Sequence, residues 1–258
     1  MIRLVATDVD GTLLDHHGTL PPARATATRR LVTAGVPVVL ATGKLWTSVA
    51  GLVTELGLAG PHVACNGSVV FDGDGRVIAR TLLDAALVDE VVGALRARGV
   101  VHAVYLEDGA LVTDRVDPAH DVLPLLGEPL PDVGEPDGRG VLKVLAFLPP
   151  EAEGDLRDVA ADASRVQRTS PRFLEWNAAG ADKATGLRTV ADLLGVEMED
   201  VLAIGDAEND VPMLRAAGVG IAVADASPAA RAAADRHLAT DLAELFDELA
   251  TELRPVRA

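Results

Sequence analysis

Four short, β-rich apolar runs constrain this chain most: Arg3 to Thr7, Val36 to Ala41, Val201 to Ile204 and Val219 to Val223. An apolar run without alternation predicts a strand buried on both faces, the usual state of a strand in a parallel sheet. Helix-like segments separate the runs. Ala23 to Ala34 is stopped by Gly35, Trp46 to Leu56 is stopped by Gly57, and Ala184 to Leu194 and Val211 to Ala216 come later in the chain. Strand and helix in alternation predict an α/β fold whose parallel sheet is covered on both sides. Val63 to Cys65 reads as a third strand. A hairpin then pairs Val69 to Phe71 with Val77 to Arg80 across Asp72-Gly-Asp-Gly, and C-terminal helices are expected around Pro228 to Ala234 and Leu242 to Leu253.

From about Asp84 the rhythm changes. Leu87, Val88, Val91, Val92 and Leu95 recur at helical spacing, and Val100 to Tyr105 and Ala110 to Thr113 read as strands. Asp114 to Gly140, with five prolines, reads as an extended loop with little regular structure. Val141 to Phe147 (strand), Glu151 to Ala163 (helix), and Arg165 to Thr169 and Arg172 to Trp176 (strands) complete a small α+β unit. A second domain, residues 83–180, is thus expected to be inserted into a first one made of 1–82 and 181–258.

Charge and composition narrow the function. With 23 Lys and Arg against 39 Asp and Glu, the formal charge is −16, which argues against a sequence-independent grip on nucleic acid or an anionic membrane. Cys65 is the single cysteine, so no intrachain disulfide or multi-thiolate metal site is available, which suits a reducing compartment. A cytoplasmic protein is expected, with no nucleic-acid or membrane partner, as a monomer or homodimer.

Chemistry gathers where the strands end. Asp8 and Asp10 lie two apart where the first strand runs out, so strand geometry aims both carboxylates toward one side. An ionised Asp can attack phosphorus, and its neighbour can pass a proton to the leaving oxygen. Gly11 and Thr12 offer a glycine-permitted turn whose N–H groups can face an anion. Gly205-Asp206-Ala207-Glu208-Asn209-Asp210 places four oxygen-bearing side chains in five positions, a set suited to a hard cation such as Mg2+. Thr42-Gly43-Lys44 closes the second strand, and Lys183 precedes a helix. Lys44, Lys143 and Lys183 are the only lysines, so two of three stand at strand-to-helix boundaries. Lys143, inside a strand, is read as a surface lysine placed by chance.

In this order, Asp8-Val-Asp-Gly-Thr, Thr42-Gly43, Lys183 and Gly205-Asp206 through Asn209-Asp210 resemble the four motifs of the haloacid dehalogenase (HAD) superfamily. Met213-Leu214 after the last motif, Asn66-Gly67 after the third strand and the large insert make the chain similar to the Cof-type (class IIB) phosphatases, which include sugar-phosphate phosphatases. The resemblance implies a Rossmann-like parallel-sheet core with an inserted α+β cap that selects the substrate. It implies Asp8 as nucleophile and Asp10 as general acid/base. Mg2+ would be held by the Asp8 carboxylate, the Asp10 backbone carbonyl and Asp206, with Asp210 as ligand or anchor. Gly11, Thr12, Thr42, Gly43, Lys183 and Asn209 would hold or orient the phosphoryl group. Two departures stand out: the subfamily more often has arginine at Lys44, and a Lys-Gly pair where Lys183 is followed by Ala184.

The expected activity is Mg2+-dependent hydrolysis of a small phosphomonoester, a sugar phosphate or related metabolite, through an aspartyl phosphate. Alternatives are a phosphomutase on the same core and a non-hydrolytic, receiver-like phospho-Asp signalling protein. Lys44, Asn66 and Ser68 are the candidate substrate contacts. For Trp46, His102, Tyr105, Glu175, Trp176 and Asn177, packing or a solvated strand edge is the expectation.

Overall fold

The structure, a computed structural model, describes residues 1–252, so the Leu253 end of the expected last helix lies outside the described residues. The chain begins with β1 (Leu4–Thr7), α1 (Pro22–Thr33), β2 (Val38–Leu40), α2 (Trp46–Leu56), β3 (His62–Ala64), β4 (Val69–Phe71) and β5 (Val77–Arg80). It continues through α3 (Ala85–Ala97), β6 (His102–Leu106), β7 (Leu111–Thr113), α4 (Ala119–Val122), β8 (Asp132–Val133), β9 (Val141–Phe147), β10 (Ser164–Ser170) and β11 (Phe173–Ala178). The remaining elements are α5 (Lys183–Leu194), β12 (Val201–Gly205), α6 (Val211–Ala216), β13 (Val219–Ala222), α7 (Pro228–Ala233), β14 (Arg236–His237) and α8 (Leu242–Glu252).

A five-stranded parallel sheet has the order β14-β13-β12-β1-β2. Its register aligns the strand ends. Thr7 is level with Ile204 on one side and with Leu40 on the other. The residues just beyond these strands, Asp8, Thr42 and Asp206, therefore emerge along one carboxyl edge, where open α/β sheets gather ligands. β1 is wholly buried, as its unbroken apolar run requires. Helices end where the sequence allows it: Gly57 and Gly195 adopt left-handed conformations after α2 and α5.

A second, six-stranded sheet, β10-β11-β9-β6-β7-β8, lies wholly within residues 102–178 and is antiparallel except for the β7–β8 pair. Its two faces differ. Val104, Val144, Leu174 and Trp176 pack with α3, while Ala103, Tyr105, Leu145 and Phe173 join the apolar cluster of the parallel sheet. By the same period of two, Lys143 and Glu175 belong to the face that meets the parallel-sheet unit.

Three expectations are corrected. β3 pairs in a separate antiparallel sheet with β4 and β5, and meets the strand edge beside β2 through an isolated parallel bridge, Ala41 to Val63, and a hydrogen bond from Leu40 N to the His62 ring. The helix expected over Glu151 to Ala163 is instead two short 3-10 turns, Pro150–Ala152 and Gly154–Asp158. There Gly154 and Ala160 take positive φ, and Glu153 pairs with Arg168 and Arg157, so local ion pairs and left-handed turns replace helical propagation. The 114–140 segment is more structured than expected: it forms α4, a 3-10 turn at Pro124–Leu126 and β8.

Candidate active site

Asp8 directly succeeds β1 and is buried at the base of a cleft of about 770 Å³ between the two sheets. Its Oδ1 accepts a hydrogen bond from Lys183 Nζ at 2.6 Å. Lys183, the first residue of α5, is itself fully buried and also donates to Asp210 Oδ1 at 2.5 Å. Asp182 sets that geometry by capping α5, its Oδ1 accepting from Thr185 N at 2.7 Å. Asp210 is held on its other oxygen, Oδ2, by the backbone N–H groups of Asp206 and Ala207, both at 2.9 Å. Both Asp210 oxygens thus have protein donors, and its side chain shapes the loop that carries Asp206.

The Asp206 carboxylate is placed by the turn after Asp8. Thr12 Oγ1 donates to Asp206 Oδ1 at 3.2 Å. Gly11 has φ +80°, and a Cβ there would stand 2.8 Å from Asp206 Oδ2, so both the turn and the close approach require glycine. Asp8, Asp206 and Asp210 bring ligand oxygens within 4.8 Å of one another. A cluster of hard carboxylate oxygens fits a divalent cation of the magnesium type.

Electrostatics agree with that fit. Burial pushes the Asp8 carboxyl well above the usual carboxylate range; Lys183 opposes the rise, while Asp210, Asp206 and Asp10 add to it. Asp206 is raised too, by burial and then by Asp210. Burial pulls Lys183 downward, but Asp210 and Asp8 outweigh it and hold the ammonium above its ordinary value. One buried ammonium faces several crowded carboxylates, and added positive charge relieves the crowding.

Asp10 lies at the cleft wall, half-exposed, with Oδ1 3.0 Å from Lys44 Nζ; the same ammonium donates to the Leu126 carbonyl. Gly43, Lys44 and Asn209 line the cleft, whereas Thr42 is buried behind it and accepts from Lys44 N at 3.1 Å. Asn66 and Ser68 are buried and engaged by protein: Asn66 Nδ2 donates to Glu175 Oε2 at 2.8 Å, Asn66 Oδ1 accepts from Asn209 at 2.9 Å, and Ser68 Oγ donates to Leu142 O at 3.4 Å.

Sequence reasoning missed the opposite wall. Lys143 is not a surface lysine but is buried, donating to Gly43 O at 2.8 Å and Glu175 Oε2 at 3.1 Å and lying 4.2 Å from the Tyr105 ring centroid. Tyr105 and Glu175 line the cleft, contrary to the expectation of simple packing. Trp46 is buried in the core of the parallel-sheet unit, Trp176 packs on the α3 side, and His102 lines a small separate cavity on that side. Glu128, from the proline-rich segment, accepts from Leu45 N at 3.3 Å and Ser48 Oγ at 2.5 Å. It therefore caps α2 from 80 residues away. The available signal for Lys143 and Glu175 was an ionisable residue at a core-facing position of an otherwise apolar strand.

The sequence profile of the haloacid dehalogenase-like hydrolases matches residues 5–242. The chain belongs to this family. Among HAD relatives it is 32% identical over 263 residues to a phosphoglycolate phosphatase of Natronomonas pharaonis, covering 100% of each chain. It is 26% identical over 255 residues to the 5-amino-6-(5-phospho-D-ribitylamino)uracil phosphatase YwtE of Bacillus subtilis, covering 87% of this chain and 88% of that one. A solved HAD subclass IIB sugar phosphatase superposes with a TM-score of 0.84 at 20% identity, covering 95% of this chain and 98% of the other; at that identity the likeness is one of fold. This HAD protein is thus a hydrolase with relatives named as phosphatases, and no helix among the described residues is long and apolar enough to cross a membrane.

Proposed function

We propose that this chain is a Mg2+-dependent phosphatase that hydrolyses a small phosphomonoester through an aspartyl phosphate on Asp8, with residues 83–180 acting as a cap that selects the leaving group. The observation that carries this reading is the Asp8 carboxylate at the base of the cleft, 2.6 Å from a buried ammonium and beside Asp206. Asp8 attacks phosphorus, and the bond to the leaving oxygen breaks as Asp10 gives that oxygen a proton. Water then attacks the phosphorus of the aspartyl phosphate; Asp10 takes its proton, and the bond to Asp8 breaks with release of inorganic phosphate. Lys183 orients Asp8 and offsets charge on the transferring group, and the Gly11–Thr12 turn would hold its oxygens, with Thr42, buried behind the cleft, bracing the Lys44 turn beside it. Asp8 and Asp206 would hold the ion, with the Asp10 carbonyl, while Asp210 anchors the loop. When bound, Mg2+ would polarise a phosphoryl oxygen and neutralise part of the dianion.

The leaving group is best read as an uncharged polyol or sugar. Glu128 and Glu175 line the cleft, and the two lysines there are already engaged, Lys44 by Leu126 O and Lys143 by Glu175 and Gly43 O. A carboxylated leaving group such as glycolate would bring a further negative charge to a wall where the described lysines already have partners. A hydroxylated chain, like the ribityl chain named for the Bacillus relative, can donate to those carboxylates. The test is a panel of phosphorylated polyols, sugars and phosphoglycolate, scored for phosphate release with Mg2+. Turnover of polyol or sugar phosphates above phosphoglycolate, and none by Asp8→Asn, is expected. Robust turnover by Asp8→Asn overturns the mechanism, and preference for phosphoglycolate overturns the substrate class.

A further inference from the structure

The seam between the two sheets carries a chain of side-chain hydrogen bonds with a built-in direction. Paired with the Lys143 ammonium at 3.1 Å, the Glu175 carboxylate offers acceptors only, and it also accepts from Thr169 Oγ1 at 2.9 Å. Asn66 must therefore turn its Nδ2 toward Glu175, which leaves its Oδ1 facing Asn209. Asn209 must in turn present Nδ2 to Asn66. The other end of the Asn209 amide, Oδ1, is buried and accepts no hydrogen bond within the described residues, in the loop that carries Asp206 and Asp210.

Asn66 is unusually well placed to transmit this order. Cys65, Asn66 and Gly67 all have positive φ, 48°, 54° and 96°, a conformation costly for Cys65 and more readily taken by asparagine and glycine. Backbone bonds hold it: Cys65 N donates to Lys44 O at 2.8 Å and Asn66 N to Thr42 O at 3.0 Å. A Cβ on Gly43 would stand 3.0 Å from Asn66 Oδ1, so the Thr42–Gly43 turn packs directly on the amide.

We propose that Glu175 is a positioning residue: its carboxylate sets the orientation of the Asn66 and Asn209 side-chain amides, and through them orders the Asp206–Asp210 loop from the other side of the seam. Glu175 has no hydrogen bond to Asn209 and acts only through Asn66. Lys143 closes the ring by joining Glu175 to Gly43 O, so the turn after β2 and the loop after β12 share one anchor.

The chain has three asparagines, Asn66, Asn177 and Asn209, so a protein labelled with 15N at asparagine gives three side-chain amide pairs by NMR. In the unliganded wild type, the Asn66 amide proton that meets Glu175 is expected to be shifted downfield and protected from exchange. Glu175→Gln lets the amides turn, because a carboxamide both donates and accepts. The Asn209 resonances then move although no bond joins the two residues, and kcat/KM for phosphate release falls severalfold. In Asn66→Asp with Glu175→Gln, the carboxylate sits one link nearer, again accepts from Asn209 Nδ2, and restores both the Asn209 resonances and the rate. A purely structural role predicts no such rescue. Unmoved Asn209 resonances in Glu175→Gln, or a double variant no better than the single, overturn the proposal. So does a wild-type Asn66 amide that exchanges as freely as an exposed one, a measurement that needs no variant to fold. The rate arm rests on the phosphatase reading; the NMR arm does not, so a wild type without turnover ends that reading while the resonances still judge the relay.

Discussion

Lys183 stands 175 residues after Asp8, yet its Nζ lies 2.6 Å from Asp8 Oδ1 and 2.5 Å from Asp210 Oδ1, with no exposure to solvent. Removing the ammonium leaves two buried carboxylates without their cation. Lys183→Met is expected to cost roughly 3–5 kcal/mol of stability by denaturant titration and to abolish phosphate release. A variant as stable and active as the wild type would show that the pair contributes neither.

Asp8→Asn should have the opposite effect on stability. Burial and three neighbouring carboxylates hold the Asp8 carboxyl above the usual range, so a neutral isostere relieves crowding at pH 7. The variant is expected to melt at a higher temperature than the wild type in metal-free buffer while losing all turnover. A lower melting temperature would mean that the Lys183 contact outweighs the repulsion.

Mg2+ should stabilise the protein by binding the folded state alone. At 100 times its dissociation constant the gain is about 2.7 kcal/mol, read as a rise in melting temperature. Asp206→Asn should remove most of that rise and Glu208→Gln none of it, since Glu208 is not in the acidic cluster. Equal rises in all three proteins would place the ion elsewhere.

At the seam, Lys143→Met strands Glu175 and should cost roughly 3–5 kcal/mol. Adding Glu175→Gln should recover part of the loss, because the buried charge disappears with its partner. Additive losses in a double-mutant cycle would show that the pair is not coupled.

His62 supplies an acid-sensitive term. It is buried against Phe71, its Nδ1 accepts from Leu40 N at 3.2 Å, and burial lowers its pKa to about 4. The unfolded histidine, near 6.5, binds a proton first as pH falls. Stability from the neutral ring is therefore fully present above pH 6.5 and is lost as pH drops toward 4, by about 3 kcal/mol in all. His62→Asn keeps an acceptor for Leu40 and costs packing at every pH. The stability gap between wild type and variant should narrow from pH 7 to pH 4.5, and a constant gap would contradict the assignment.

The strand-end acids were legible because strand, turn and helix signals are local. Asp8, Asp10, Thr42 and Asp206 each come after an apolar run, and parallel register alone brings them to one edge. Lys183 was legible as one of three lysines in a chain that otherwise uses arginine. Glu128 was hidden because it sits in a proline-rich stretch with no periodicity, and its worth comes from the end of α2, far away in sequence. The helix expected after Pro150 failed for a related reason: Glu153 finds Arg168 on β10, a partner no local pattern reports.

By itself, then, the sequence determined the parallel sheet, the place of its acidic edge and the chemistry of the side chains there, since these derive from backbone periodicity and residue type. Only the tertiary structure decided which side chains complete the cleft. Lys143, Glu175, Asn66 and Asn209 acquire their partners when the second sheet lands on the first, and hydrogen-bond direction across that seam depends on distances that no one-dimensional pattern carries.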